Sequence, residues 1–495
     1  MKRLSLFIIT ALGITACACA EDLPPPVREA LRQANIPVGS VGVVVRELNS
    51  PTPLIQINGT RGMNPASTMK LLTTSAALEL LGPAYTWKTE AYLDGTLANG
   101  VLNGNLVIKG YGNPKMNAEH LWLWLHELRN RGLREITGDL ILDHNVFVQQ
   151  DNDPADFDND PVRAYNVTPD ALLLNFNAIR FRFVPDTGGV NVFTEPTLGG
   201  ISLDNRLTVG KQRNCRNWDR NIHIQLTGNN IKLTGAYPAL CGERDLAVSL
   251  MSHTRFFDTV FRSLWQEMGG VLNGKVLDGT VSNSATLFAT HYSQPLSEII
   301  RDINKFSNNV MARQLLLSLS LNVPPPATVD DTDTDMDMEI TSMPQNTSTL
   351  ASTSPPASIA LSEIALRRWI DSKGLRVPEL VLENGAGLSR KERISPLNMS
   401  LLLQSISASP YSAELEASLP IIGIDGTVKR RLDNHAVTSH AHLKTGSLEG
   451  VKSIAGYVQS HSGKQWILVF IINHSHASAG QRAQDELIEW LEKNY

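Results

Sequence analysis

The chain has 495 residues, 44 Lys and Arg against 49 Asp and Glu, and a formal net charge of -5. That length suits two or three domains, and the absence of a basic block argues against nucleic acid as a partner. Beyond the N-terminus no stretch approaches the roughly 18 uninterrupted apolar residues that a spanning helix needs.

In chain order, "MKRLSLFIITALGITACACA" has Lys2 and Arg3, an apolar run and small residues ending at Ala18-Cys19-Ala20. This reads as a secretory signal over residues 1–20, with export to the periplasm as the expectation. "ITAC" at Ile14 to Cys17 offers lipoprotein processing at Cys17 as the minor alternative. "PPPVREALRQANI" predicts a short helix, "SVGVVVREL" and "PLIQING" predict strands, and "NPASTMKLLTTSAALELL" predicts a helix starting near Ser67. From residue 86 the texture changes to alternating apolar and polar runs with Gly and Asn turns, as in "TWKTEAYLDGTLANGVLNGNLVIKGYGNP". Further strands are expected at "EITGDLILDH", "AIRFRFVP", "VNVFTEP", "NIHIQLTG" and "NIKLTGAYP". Residues 86–285 therefore read as a β-rich inserted body, and 21–85 with 286–495 as the α/β layer structure that receives it.

Two cysteines remain beyond the signal, Cys215 and Cys241, and in an oxidising compartment they point to a disulfide rather than a metal site. "HLWLWLHELRN" lacks the spacing of a zinc helix and reads as an amphipathic helix; no cofactor or metal is expected. Residues 322–358 are rich in Pro, Ser, Thr and Asp and read as a disordered loop. Their acidic run, Asp330 to Asp337, lacks the Gly and Glu of an EF-hand loop. "WILVFIIN" predicts a buried strand, and "GQRAQDELIEWLEKNY" a closing helix with Leu487, Ile488 and Leu491 on one face.

Three short patterns carry chemistry. Ser67 and Lys70 stand three apart at the front of a predicted helix. The plain account is an N-cap serine and a solvated lysine. The alternative is that i and i+3 share a helix face, and that burial with the positive helix end leaves a neutral lysine beside a serine, a nucleophile with its base. Ser307 and Asn309 precede a second apolar helix, where a cap is again the plain account. Lys444-Thr445-Gly446 sits where one strand turns toward the next, as a gatekeeper lysine on an edge also would.

The three together, in this order, resemble the motifs of the penicillin-recognising serine enzymes. The long β-rich gap between the first two most resembles the D-alanyl-D-alanine carboxypeptidase/endopeptidase family, the class C low-molecular-mass penicillin-binding proteins. "IKGYGNPKM", "ENGAGLSRKERISP" and "GIDGTVKRRL" resemble further family stretches, and the likeness runs through nearly the whole chain after the signal. Departures are Asn384 and Ala386, His442-Leu443, and the 322–358 insertion.

The resemblance implies a β-lactamase/transpeptidase-like fold, with helices packed on an antiparallel sheet. It also implies a serine peptidase acting on D-Ala-D-Ala peptides of peptidoglycan and acylated by β-lactams. Ser67 would be the nucleophile, Lys70 its base and Ser307 with Lys444 a proton relay. Asn309 would bind the substrate amide, and Thr445 its carboxylate. Gly446 would leave room for a peptide lying along the strand, and the N–H groups of Ser67 and Ser447 would hold the oxyanion. In "FDNDPVRAY", Asp160 and Tyr165 match an aspartate and an aromatic that face the peptide's diamino acid; a turn-capping Asp160 is the plain account, and Asp158 lies close by. The rivals are a β-lactamase, which needs a fixed water activator, and a non-catalytic peptidoglycan-binding scaffold.

Overall fold

In the computed structural model, residues 22–149, 153–211, 214–321 and 355–495 are described. The expected signal and residues 322–354 of the low-complexity segment lie outside them.

A five-stranded antiparallel sheet organises the first body, in the order Ala441–Leu448, Val451–Gln459, Gln465–Asn473, Val41–Glu47, Ile55–Ile57. Its middle strand shows why. In Gln465–Asn473, Ile467, Val469 and Ile471 join one core, while Trp466, Leu468, Phe470 and Ile472 join another. A period of two places these residues on opposite faces, so a continuous apolar run marks a strand covered on both sides.

One face carries Pro25–Gln33 and the closing helix Gln481–Asn494, whose Leu487, Ile488 and Leu491 are fully buried. The other carries Lys70–Leu81, Leu296–Phe306, Asn309–Ser318, Ile359–Ser372 and Pro396–Ser407. Full burial of each large aliphatic contributes about 1.5–3 kcal/mol, so the sheet and its two helical layers hold together as a unit. The fold is the α/β arrangement expected, with helices packed on an antiparallel sheet.

The β-rich region has its own core around Trp124, Phe181, Phe183, Tyr237, Phe261 and Trp265. It contains a seven-stranded sheet and two three-stranded sheets. "HLWLWLHELRN" lies in the helix Ala118–Asn130, with Leu121, Trp124, Leu125 and Leu128 inward. Cys215 and Cys241 are joined by a disulfide.

Three expectations are corrected. The expected disordered loop does not reach 358, because Ala357 is buried and bridges Phe147, and Ser358 caps the helix Ile359–Ser372. The boundary at 286 falls too early, because Thr286–Tyr292 pairs with Lys88–Ala98 and extends the seven-stranded sheet. The strand Ser202–Gly210 was not foreseen. Its side chains are mostly exposed, so it shows little apolar alternation, and its place comes from parallel pairing with Asn230–Pro238.

Candidate active site

Ser67, the expected nucleophile, sits on a turn held from several sides. Asn64 Oδ1 accepts from the Ala66 N–H at 2.9 Å, and Asn64 Nδ2 donates to the Ser389 carbonyl at 2.8 Å. Asn473 holds Asn64 in turn, accepting from its N–H at 2.8 Å and donating to its carbonyl at 3.0 Å. Ala66–Met69 is a short 3-10 turn that feeds the helix Lys70–Leu81.

Ser67 does not cap that helix. Its hydroxyl meets Lys70 Nζ at 3.0 Å. Lys70 is fully buried, and its nitrogen also reaches Asn309 Oδ1 at 2.6 Å and the Ala386 carbonyl. Two of these partners only accept. A neutral amine can donate to both and still turn its lone pair to the Ser67 hydroxyl.

The second motif comes from a helix break. Leu296–Phe306 ends at Ser307, which has φ +57°, and Asn309–Ser318 begins after Asn308. Asn308 makes the cap, accepting from the Met311 N–H at 3.0 Å. That leaves Ser307 and Asn309 free to face the lysines. Lys444, fully buried on the edge strand, donates to Ser307 Oγ and to the Thr445 carbonyl, both at 2.8 Å. Thr445 Oγ1 donates to Thr427 Oγ1 at 2.7 Å.

Burial, more than any other cause, holds Lys70 well below the ordinary lysine range. The Lys444 and Arg313 charges add to the effect and Glu392 opposes it. Burial alone lowers Lys444 to about 7. Burial and the Lys444 charge both disfavour a proton on Lys70, which suits it to act as a base. A cavity of about 290 Å³ opens over the site, lined among others by Ser67, Ser307, Thr427, Arg431, Thr445 and Lys452. No carboxylate lines it among the described residues.

Residues 25–340 and 347–494 match the D-Ala-D-Ala carboxypeptidase 3 (S13) family. The chain belongs to that family. Its carboxypeptidase relatives include D-alanyl-D-alanine carboxypeptidase DacB of Haemophilus influenzae, 25% identical over 96% of this chain and 94% of the relative. The D-alanyl-D-alanine carboxypeptidase of Actinomadura is 27% identical over 90% of this chain and 80% of its own. Among solved structures, penicillin binding protein 4 of Haemophilus influenzae superposes with a TM-score of 0.74 at 24% identity. That match covers 94% of this chain and 99% of the other. The chain is thus a serine peptidase, and its three motifs meet at one cavity through Ser67, Ser307 and Thr445.

Gly446 packs closely against the Ser67 turn. A Cβ there would lie 2.3 Å from Ser453 Oγ, 2.7 Å from the Pro65 carbonyl and 2.8 Å from the Ser67 nitrogen. The glycine lets the edge strand press against the nucleophile turn.

Asp160 and Tyr165 do not line the cavity over Ser67. The Asp160 carboxylate accepts from Arg163 Nε at 2.8 Å, and the Tyr165 hydroxyl donates to Asp158 at 2.6 Å. Sequence reading also missed partners of the base. Nothing in a sequence marks the carbonyl of Ala386, and Arg313 and Glu392 look like ordinary charges in helix and loop until burial is known.

Proposed function

We propose that the chain cleaves terminal D-Ala-D-Ala bonds of peptidoglycan stem peptides, and crosslinks of the same chemistry, through an acyl-enzyme on Ser67. The supporting observation is Lys70, buried with no carboxylate hydrogen-bonded to it among the described residues and 3.0 Å from the Ser67 hydroxyl. Lys70 takes the hydroxyl proton as Ser67 Oγ attacks the carbonyl carbon. The oxyanion falls to the N–H groups of Ser67 and Ser447, worth roughly 3–4 kcal/mol per donor in hydrolases of this kind. The proton passes through Ser307, bonded to Lys444 at 2.8 Å, to the departing amine. Water then cleaves the ester and regenerates the serine.

Lys452 and Arg431, the latter paired with Asp485 at 2.6 Å, line the cavity, and Lys444 lies behind Ser307 at 2.8 Å, an arrangement suited to a terminal carboxylate. A carboxylate bound there favours the charged form of Lys444 and so the neutral form of Lys70. A β-lactam would acylate the same serine, with its amide nitrogen as the tethered leaving group. A β-lactamase would need a fixed water activator, and the described cavity wall carries no carboxylate to serve as one.

Export to the periplasm, carried by residues 1–20, is part of the same reading. So is the division into a catalytic body and an inserted β-rich body that walls the cleft. A role for Asp160 and Tyr165 in binding the diamino acid rests on their spacing.

The deciding experiment is labelling with a fluorescent penicillin, followed by peptide mass spectrometry. The adduct is expected on Ser67, abolished by Ser67→Ala and slowed by several orders of magnitude in Lys70→Ala. An adduct on another residue would end the assignment.

A further inference from the structure

Under the turn that leads to Ala386 lies a carboxyl group that this chemistry leaves unused. Glu392 is fully buried. Its Oε1 accepts from the backbone N–H groups of Glu383, Asn384 and Gly385, at 3.1, 2.8 and 2.8 Å. Its Oε2 is buried with no hydrogen-bond partner among the described residues. The three N–H groups belong to the turn that runs into Ala386, whose carbonyl accepts from Lys70. Thr73, on the Lys70 helix, ties the same turn by donating to the Gly385 carbonyl at 2.7 Å. Asn384 closes it from within, accepting from the Ala386 N–H at 2.9 Å and donating to the Leu388 carbonyl at 2.8 Å.

Arg313 stands opposite in sign. It lies one turn beyond Asn309 on the same helix and donates to the carbonyls of Asn166 and Val167 at 3.3 and 3.1 Å. No carboxylate lies within ion-pair distance of it among the described residues; burial holds it below the ordinary range, and the Glu392 and Glu383 carboxylates act against that.

We propose that Glu392 is a positioning residue for the general base. It fixes the turn that brings the Ala386 carbonyl to Lys70, and it supplies the negative charge that Lys444 and Arg313 leave lacking. This rests on Lys70 being the base. The physical need is plain. Burial, Lys444 on the edge strand and Arg313 on the Asn309 helix all disfavour a proton on Lys70. An amine pushed too far down is a poor proton acceptor. Glu392, from the loop, acts the other way. Its own carboxyl is raised by burial, against the pull of the three N–H groups and of Lys70.

The test is the pH profile of acylation by a fluorescent penicillin, measured on the full chain. A base works once it has lost its proton, so the rate rises with pH through the Lys70 titration. Glu392→Gln keeps an oxygen for the turn and removes the charge. Its midpoint is expected to move to lower pH by about 0.5–1 unit, with a lower plateau from the weaker base. Arg313→Met is expected to move the midpoint to higher pH. Glu392→Asp keeps the charge and shortens the reach, so it should lower the plateau with the midpoint unmoved. A merely structural role would not give shifts of opposite sign. If Glu392→Gln fails to fold, the other two variants still decide. Midpoints that coincide with wild type, or that shift in one direction, would overturn the proposal while Ser67 remained the labelled residue. An adduct away from Ser67 in the wild type would instead break the catalytic reading.

Discussion

Two buried clusters of titratable groups lie along one helix, Asn309–Ser318, and they are built on opposite rules. At its start, Asn309 faces Lys70 in the cleft, where two fully buried lysines bind hydroxyls, carbonyls and an amide but no carboxylate. Further along, Gln314 grips the backbone of Asp170, accepting from its N–H at 2.9 Å and donating to its carbonyl at 2.8 Å. There the charges are matched. Asp170 Oδ1 lies 2.6 Å from His144 Nδ1, and Asp278 lies 3.4 Å from His144 Nε2.

Burial works against charge in both places. At Asp170 it is outweighed by His144 and by the neighbouring His253, so the carboxyl sits below its ordinary value. At His144 burial is outweighed by Asp170, so the imidazole sits above its own. His253, without a bonded carboxylate, is pushed down by burial. The lesson is that a matched buried pair fastens the fold, while an unmatched buried cation is ready to give up its proton.

The contrast can be broken hardest at Gly446. Gly446→Ala forces the edge strand away from the nucleophile turn, which should lower penicillin acylation at least about 100-fold, since small misplacements at a reacting centre cost that much. Stopped-flow labelling, with circular dichroism to confirm folding, checks this. Near-normal acylation would mean that the strand relaxes without moving Ser67.

A smaller effect is expected at the acidic loop of the inserted region. Asp160→Asn should leave acylation by a simple penicillin unchanged. It should lower kcat/KM about tenfold or more for peptides with a free diaminopimelate amine, the usual worth of a charged hydrogen bond. Equal loss on peptides lacking that amine would assign Asp160 to its Arg163 pair instead.

The smallest effect on catalysis, and the sharpest on stability, is expected at His144. A histidine raised in the folded state stabilises fully below its unfolded pKa and stops doing so as pH rises through the folded one. A lowered aspartate stabilises above its unfolded pKa and stops as pH falls through the folded one. The pair should therefore contribute most between about pH 4 and 6.5. Thermal unfolding of His144→Gln against wild type should show a gap of about 1–3 kcal/mol in that window, narrowing at higher pH. A gap independent of pH would mean that His144 acts by packing alone.

Local patterns were legible because they repeat within a few residues. The unbroken apolar run of "WILVFIIN", the single apolar face of the closing helix and the three short motifs all follow from periods and spacings that neighbouring residues set for themselves. The weakly patterned Ser202–Gly210 was not legible, because pairing with a distant strand places it.

What tertiary structure alone decided is the state of the charges and the reason for Gly446. Whether Lys70 is a solvated cation or a base depends on water being excluded by helices and strands from both ends of the chain. Whether Glu392 matters depends on a turn that folds back over the nucleophile helix. Desolvation and close approach are properties of segments hundreds of residues apart, so no short window of sequence contains them.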